Sequence, residues 1–177
     1  MSARRDFNEV KFFCGLIYRK DQAAEKAIAM LEEAIAPVDG STAAIPFTMT
    51  DYYRDEMGEP LSRRFVSFSG LLDPQKLPGI KVAAMGMEEK LAEVEKRTVN
   101  LDPGYLSEAN VIIATAKNHY HRVPLASGVY AHMEYVWKDG RLQFLPWTYP
   151  DFKTAAYLEF FGHLRERFRQ EQKRPRE

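Results

Sequence analysis

The chain has 177 residues, with 25 Lys and Arg against 25 Asp and Glu, so its formal net charge is zero. With 45% hydrophobic and 28% charged residues it reads as a single globular domain (1–177, core about 10–168, ends frayed at 1–8 and 170–177) rather than a disordered chain. Zero net charge removes the long-range attraction that nucleic acid or an anionic membrane would supply, and one cysteine, Cys14, suits a reducing, cytoplasmic compartment.

The apolar run 12–18 is too short to span a membrane and follows charged residues, so Val10 to Tyr18 is expected as a buried strand with Cys14 a structural thiol inside it. Asp21 offers an N-cap for a helix that Pro37 ends, with Ala24, Ala27, Ile28, Leu31, Ala34 and Ile35 at helical spacing. Asp39-Gly40-Ser41 reads as a turn, Ala43 to Met49 as an edge or bulged strand around Pro46, and 50–58 as a short helix ending at Gly58. A strand over Arg63 to Phe68 precedes a loop punctuated by Pro74 and by Pro78-Gly79, then a helix from Ile80 to about Glu95. Arg97 to Leu101 is expected as a short strand closed by an Asp102-Pro103-Gly104 turn. For Val111 to Ala116 the β-branched run favours a strand, although Ser107 could cap a helix there.

Alternation from Val129 to Trp137 marks a two-faced strand, and Asp139-Gly140 a type I′ hairpin that pairs Trp137 with Leu142 and Tyr135 with Phe144. With the turn at Leu125–Gly128 and a strand from Asn118 to Pro124, this makes a β-meander. A last helix, capped by Thr154, buries Tyr157, Phe160, Phe161, Leu164 and Phe168. The order of elements indicates an α+β fold with a mixed or largely antiparallel sheet and about three main helices.

Phosphate-loop, dinucleotide-binding, nucleophile-elbow and paired-Cys zinc motifs are absent. Thr115-Ala116-Lys117-Asn118 faintly resembles the base-reading segment of GTPases, which means little without a phosphate loop. A two- or four-residue loop at Ala126-Ser127 would set His121 opposite His132 and His119 opposite Glu134, on one sheet face, with cross-strand Cβ atoms roughly 4.5–5.5 Å apart. Imidazole and carboxylate there would suit a transition metal, whereas a three- or five-residue loop moves the register by one; a plain polar face is the preferred reading, so no metal ligand is assigned. The stretch Arg165, Arg167, Arg169, Lys173, Arg174, Arg176 is interrupted by glutamates and reads as a solvated helix end.

The residues best suited to chemistry sit at turns and strand ends. Arg64, Lys117 and Arg122 would hold an anion, Trp147 or Tyr149 would stack, Asn100 and Tyr105 would complete the binding set, and Asp102, His121 and Asp151 would handle protons. Tyr52 and Tyr53 could face a cleft, although packing of the short helix explains at least one of them. The expected ligand is a small anion, a nucleotide or phosphorylated metabolite; a non-catalytic protein-interaction module with an exposed aromatic patch, or a His/Glu metalloenzyme, are the alternatives. No cofactor is identified.

Five segments occur in order: 47–53 (FTMTDYY), 63–65 (RRF), 100–105 (NLDPGY), 121–122 (HR) and 145–151 (LPWTYPD). Together they resemble the bacterial family of domain of unknown function 4416, over about Val10 to Phe168. The resemblance implies a small stand-alone bacterial cytoplasmic protein and draws weight towards these motif residues. It implies no activity; some members bear a GTP-binding label, for which this chain has no phosphate loop.

Overall fold

A computed structural model describes residue 3 and residues 5–173. One antiparallel sheet of nine strands carries two main helices on one face and one on the other. Strand β1 (Lys11–Tyr18) is buried along its whole length, as its apolar run predicts. It lies between β4 (Ser62–Phe68) and β5 (Val99–Leu106); with β2 (Val38–Ser41), β3 (Ile45–Pro46), β6 (Asn110–Thr115), β7 (Val123–Pro124), β8 (Tyr130–Lys138) and β9 (Arg141–Phe144), the full order is β2-β4-β1-β5-β6-β8-β7, with β3 on β4 and β9 on β8.

Alternation along β1 sends Phe12, Cys14, Leu16 and Tyr18 towards α1 (Asp21–Ala34) and α3 (Leu77–Leu91), and Phe13 towards α4 (Ala155–Gln172). Cys14 is fully buried and its thiol pKa is raised by that burial, which makes it inert. Helix α4 buries Tyr157, Phe160, Phe161, Leu164 and Phe168, the expected stripe. Among the described residues no helix is long and apolar enough to cross a membrane.

Several local expectations are corrected. Lys20, not Asp21, is the N-cap of α1; Asp21 sits in the first turn, where its charge complements the helix dipole. Residues 39–41 are not a turn but part of β2 (Val38–Ser41), because Asp39 is taken up by a bulge and by Lys11 and Ser67. The Ala43–Met49 strand shrinks to β3 (Ile45–Pro46), and the short helix is α2 (Arg54–Met57), closed by Gly58 at positive φ. Pro78 and Gly79 lie within the first turn of α3, where proline loses no helical bond. Helix α4 runs past Phe168 to Gln172, held by Lys11 Nζ 2.5 Å from Glu171; residues 174–177 of the expected frayed end, with Arg174 and Arg176, lie outside the described residues.

The correction that matters most is at 102–104. No turn forms there; β5 runs straight through, with Cys14 paired to Pro103. The ladder to β6 (Asn110–Thr115) starts only at Gly104 and covers three pairs, Gly104–Ile113 to Leu106–Val111. A Cβ on Gly104 would lie 2.3 Å from the Ile112 carbonyl oxygen, so glycine permits the close crossing. Pro103 has no N–H to donate, and beyond it β5 stays with β1 while β6 stays with β8 (Tyr130–Lys138). The sheet therefore forks.

The strand over Val111 to Ala116 is found as β6. The hairpin at Asp139-Gly140 has both residues at positive φ, and β8 pairs with β9 (Arg141–Phe144) in the expected register. The first meander strand is reduced to β7 (Val123–Pro124), and the loop before β8 has five residues, 125–129, so Val123 pairs with Ala131. His119 and His121 therefore lie in a turn, not opposite Glu134 and His132 on a strand.

Candidate functional site

The fork opens into a cavity of about 560 Å³. Asn100 and Asp102 line it from β5, Ile113 to Lys117 from the end of β6, Lys81, Met85 and Glu88 from α3, and Tyr149 to Phe152 from the segment leading into α4. Phe47, Met49, Thr50, Tyr52 and Tyr53 close it from the β3–α2 segment.

Arg63 is its deepest cation. Gly15 on β1 leaves it room: a Cβ there would lie 2.7 Å from Nη1. Nε donates to the Tyr157 hydroxyl (3.1 Å), Nη1 to Asp102 Oδ2 (3.0 Å) and Nη2 to Asp151 Oδ2 (3.5 Å). Burial opposes the charge, but Tyr157, Asp102 and Asp151 hold its pKa above the ordinary arginine value.

Asp102 also accepts from Asn100 Nδ2 (2.9 Å), and Lys81 Nζ is 3.9 Å from Oδ1. Burial alone would raise its pKa; Lys81, Arg63 and the hydrogen bonds outweigh that and lower it. A carboxylate held this way is an anchor for the cations and a poor base. Glu88 shifts the other way, raised by burial despite Lys81, the Leu101 N–H (2.6 Å to Oε1) and Arg97. Arg97 grips Glu56 through Nε and Nη2 (3.0 and 2.8 Å) and donates from Nη1 to Asn100 Oδ1 (2.7 Å).

At the rim, Lys117 Nζ donates to the Tyr52 hydroxyl (2.6 Å) and lies 3.8 Å from the centre of that ring. No carboxylate among the described residues pairs with it. Tyr149 stacks on His132 (centroids 4.8 Å, 3° between planes), accepts from Arg122 Nη2 (2.5 Å), and donates its N–H to Glu134 Oε2 (3.1 Å). Arg122 also donates to His132 Nδ1 (3.1 Å) and to the Lys117 carbonyl (2.7 Å), so it braces the rim from behind.

The histidines do meet, by another route than strand pairing. His119 Nδ1 is 2.9 Å from His121 Nδ1, His121 Nε2 is 3.0 Å from His132 Nδ1, and His132 Nε2 is 3.0 Å from Glu134 Oε1. Glu134 reaches His132 because β8 bulges there: Met133 pairs with Ile112 and Tyr135 with Val111, leaving Glu134 as the extra residue. The four groups are strung end to end rather than gathered about a point, and no three His, Cys, Asp or Glu side chains among the described residues are placed to hold a metal ion.

Of the ten residues assigned from sequence, Asp102, Asp151, Asn100, Lys117 and Tyr149 line the cavity. His121, Arg122 and Trp147 stand behind its rim; Trp147 stacks on His121 (4.8 Å, 11°) and donates from Nε1 to the Met133 carbonyl (2.8 Å). Arg64 and Tyr105 are elsewhere. Strand alternation points Arg64 to the opposite face, where Nη1 donates to Glu25 (2.6 Å), and packs Tyr105 on Phe12 (6.0 Å). Sequence reading missed Arg63, Lys81, Glu88 and Arg97. For Lys81 and Glu88 a signal existed: both fall on the buried face of α3 with Ala84. Within the basic stretch, Arg165 and Arg169 pair with Glu108 and Arg167 with Asp39.

Fold and site define an α+β protein with a forked antiparallel sheet and a mixed-charge cavity in the fork. The family model described as "Domain of unknown function (DUF4416)" matches residues 8–168. The chain belongs to that family. No curated protein and no solved structure matches it.

Proposed function

We propose that the cavity in the fork binds a small anionic ligand, a nucleotide or phosphorylated metabolite. The observation that carries this reading is Lys117: a rim cation whose side-chain partner is a neutral phenol, beside a cavity of ligand size. Lys81, which spends one donor on the Leu101 carbonyl (2.6 Å), supplies a second cation deeper in. Tyr52 and Tyr149 offer flat surfaces, and Asp102 and Asp151, each with one oxygen turned to Arg63, accept from hydroxyl or amino groups of the ligand.

The same reading places the protein in the cytoplasm and without nucleic-acid partners, on its balanced charge and reduced, buried thiol. The interaction-module alternative needs Trp147 and Tyr149 as a shallow patch, but Trp147 is stacked on His121 with its Nε1 bonded to the Met133 carbonyl, and Tyr149 lines the cavity.

A thermal-shift panel of nucleotides and phosphorylated metabolites tests it. A true ligand at about 100 times its Kd should stabilise by roughly 2.7 kcal/mol. Lys117→Ala should melt like the parent without ligand and lose most of that shift. A silent panel, or an undiminished shift in Lys117→Ala, overturns the proposal.

A further inference from the structure

The imidazole chain has one end in solvent and the other in the core: His119 is exposed, His132 and Glu134 are buried. Arginine only donates, so the Arg122 Nε contact makes His132 Nδ1 an acceptor and puts the ring's proton on Nε2, facing Glu134. His132 Nε2 and Glu134 Oε1 lie 3.0 Å apart, and among the described residues neither has a hydrogen-bond partner. His121 must then donate from Nε2 to that same Nδ1, and accept at its own Nδ1 from His119. In this arrangement both hydrogen bonds between the rings point inward. Through the stacks of His121 on Trp147 and His132 on Tyr149, the chain ties segment 117–122 to segment 147–149. Lys117 and Tyr149, both at the cavity, sit on these two segments.

We propose that this chain is a proton-operated latch on the cavity rim, closed while His121 and His132 are neutral and released when either takes a second proton. A proton at the outer nitrogen of His119 breaks nothing, because its Nδ1–H goes on donating. One on His121 Nδ1 removes the acceptor that His119 uses. One on His132 Nδ1 removes the acceptor shared by His121 and Arg122 and sets cations side by side.

The charged groups around the chain are Lys117, His119 and Arg122 on its own segment, Glu134 on β8 and Asp151 on the closing segment. Burial, then His132, His119 and Arg122, hold the His121 pKa below the ordinary histidine value. Burial raises the Glu134 pKa, against the pull of His132 and the Tyr149 N–H, with Asp151 adding to the rise. The latch is therefore closed at neutral pH and released on the acid side of the imidazole range.

The chain has two tryptophans, so Trp137→Phe leaves Trp147, stacked on His121, as the sole emitter. In chelator-washed protein, Trp147 emission should fall in one step between about pH 8 and about pH 5, centred below the ordinary imidazole value of about 6.5. Amide exchange at 117–122 and 147–149 should accelerate over the same step. His121→Gln should abolish the step. His119→Gln, at an exposed position where folding is not at risk, should move it to higher pH by removing the ring that donates to His121 Nδ1.

Flat emission, a step unchanged in both variants, or stoichiometric metal on these histidines in unwashed protein overturns the latch. Its role as a gate rests on the ligand reading above, but the two fail separately: Trp147 can report release while the ligand panel stays silent, and a ligand can bind while Trp147 stays flat.

Discussion

Two buried cations on the same face of the sheet are each held by two carboxylates, and only one of them borders a cavity. Lys11, at one end of β1, has Asp39 and Glu171 each at 2.5 Å; Asp39 gives its other oxygen to Ser67 (2.6 Å), and the C-terminal part of α4 closes over the group. Arg63, lying over Gly15 further along the same strand, has Asp102 and Asp151, but here the sheet splits. A point charge with both acids drawn onto it makes a clasp. Arg63 likewise meets one oxygen of each acid, but Asp102 and Asp151 line the gap. Pro103, which delays the β5–β6 ladder, leaves the Arg63 cluster at the edge of a cavity.

That contrast breaks first at Arg63. Arg63→Met leaves Asp102 and Asp151 without their shared partner at a nearly buried site, and should cost about 3–5 kcal/mol in denaturant unfolding, together with any ligand-induced shift. Lys11→Met should cost about 3 kcal/mol, the low end of that range, because Asp39 keeps Ser67 and Arg167 as partners. Ligand binding should survive it once the protein is folded. Equal loss of binding in both variants would mean that the two clusters are not functionally distinct.

Much of the fold was legible because it is written in local periodicity: the buried run of β1, the aromatic stripe of α4, the Asp139-Gly140 turn. The cavity was half legible. Asp102 and Asp151 announce themselves as acids beside proline, with Asn100 close by, yet Pro103-Gly104 reads as a turn when pairing with β1 pulls it straight. Nothing local distinguishes Arg63 from Arg64; a strand sends one to each face, and the absence of a side chain at Gly15, an element away, makes room for Arg63. His121 reaches His132 through a turn and a five-residue loop rather than the expected register, and His119 meets His121 instead of Glu134.

The smallest change that should separate the clusters is one methyl group. In Gly15→Ala the new Cβ would lie 2.7 Å from Arg63 Nη1 and 3.0 Å from Phe65 Cε1, so the guanidinium must shift while Lys11, on the same strand, is untouched. The cost in stability should be about 1 kcal/mol, at the low end for overpacking, since the end of a flexible side chain gives way. The sharper readout is electrostatic. The lowered pKa of Asp102 depends on Lys81 and Arg63, and that of Asp39 on Lys11 and Ser67. A carboxylate with a depressed folded-state pKa stabilises the fold above its unfolded value and loses that contribution as pH falls through the folded one. Withdrawing Arg63 should move the Asp102 carboxyl titration, followed by NMR, to higher pH and bring its share of acid destabilisation on earlier. The Asp39 titration should stay where it is; movement of both would show the clusters to be coupled through β1.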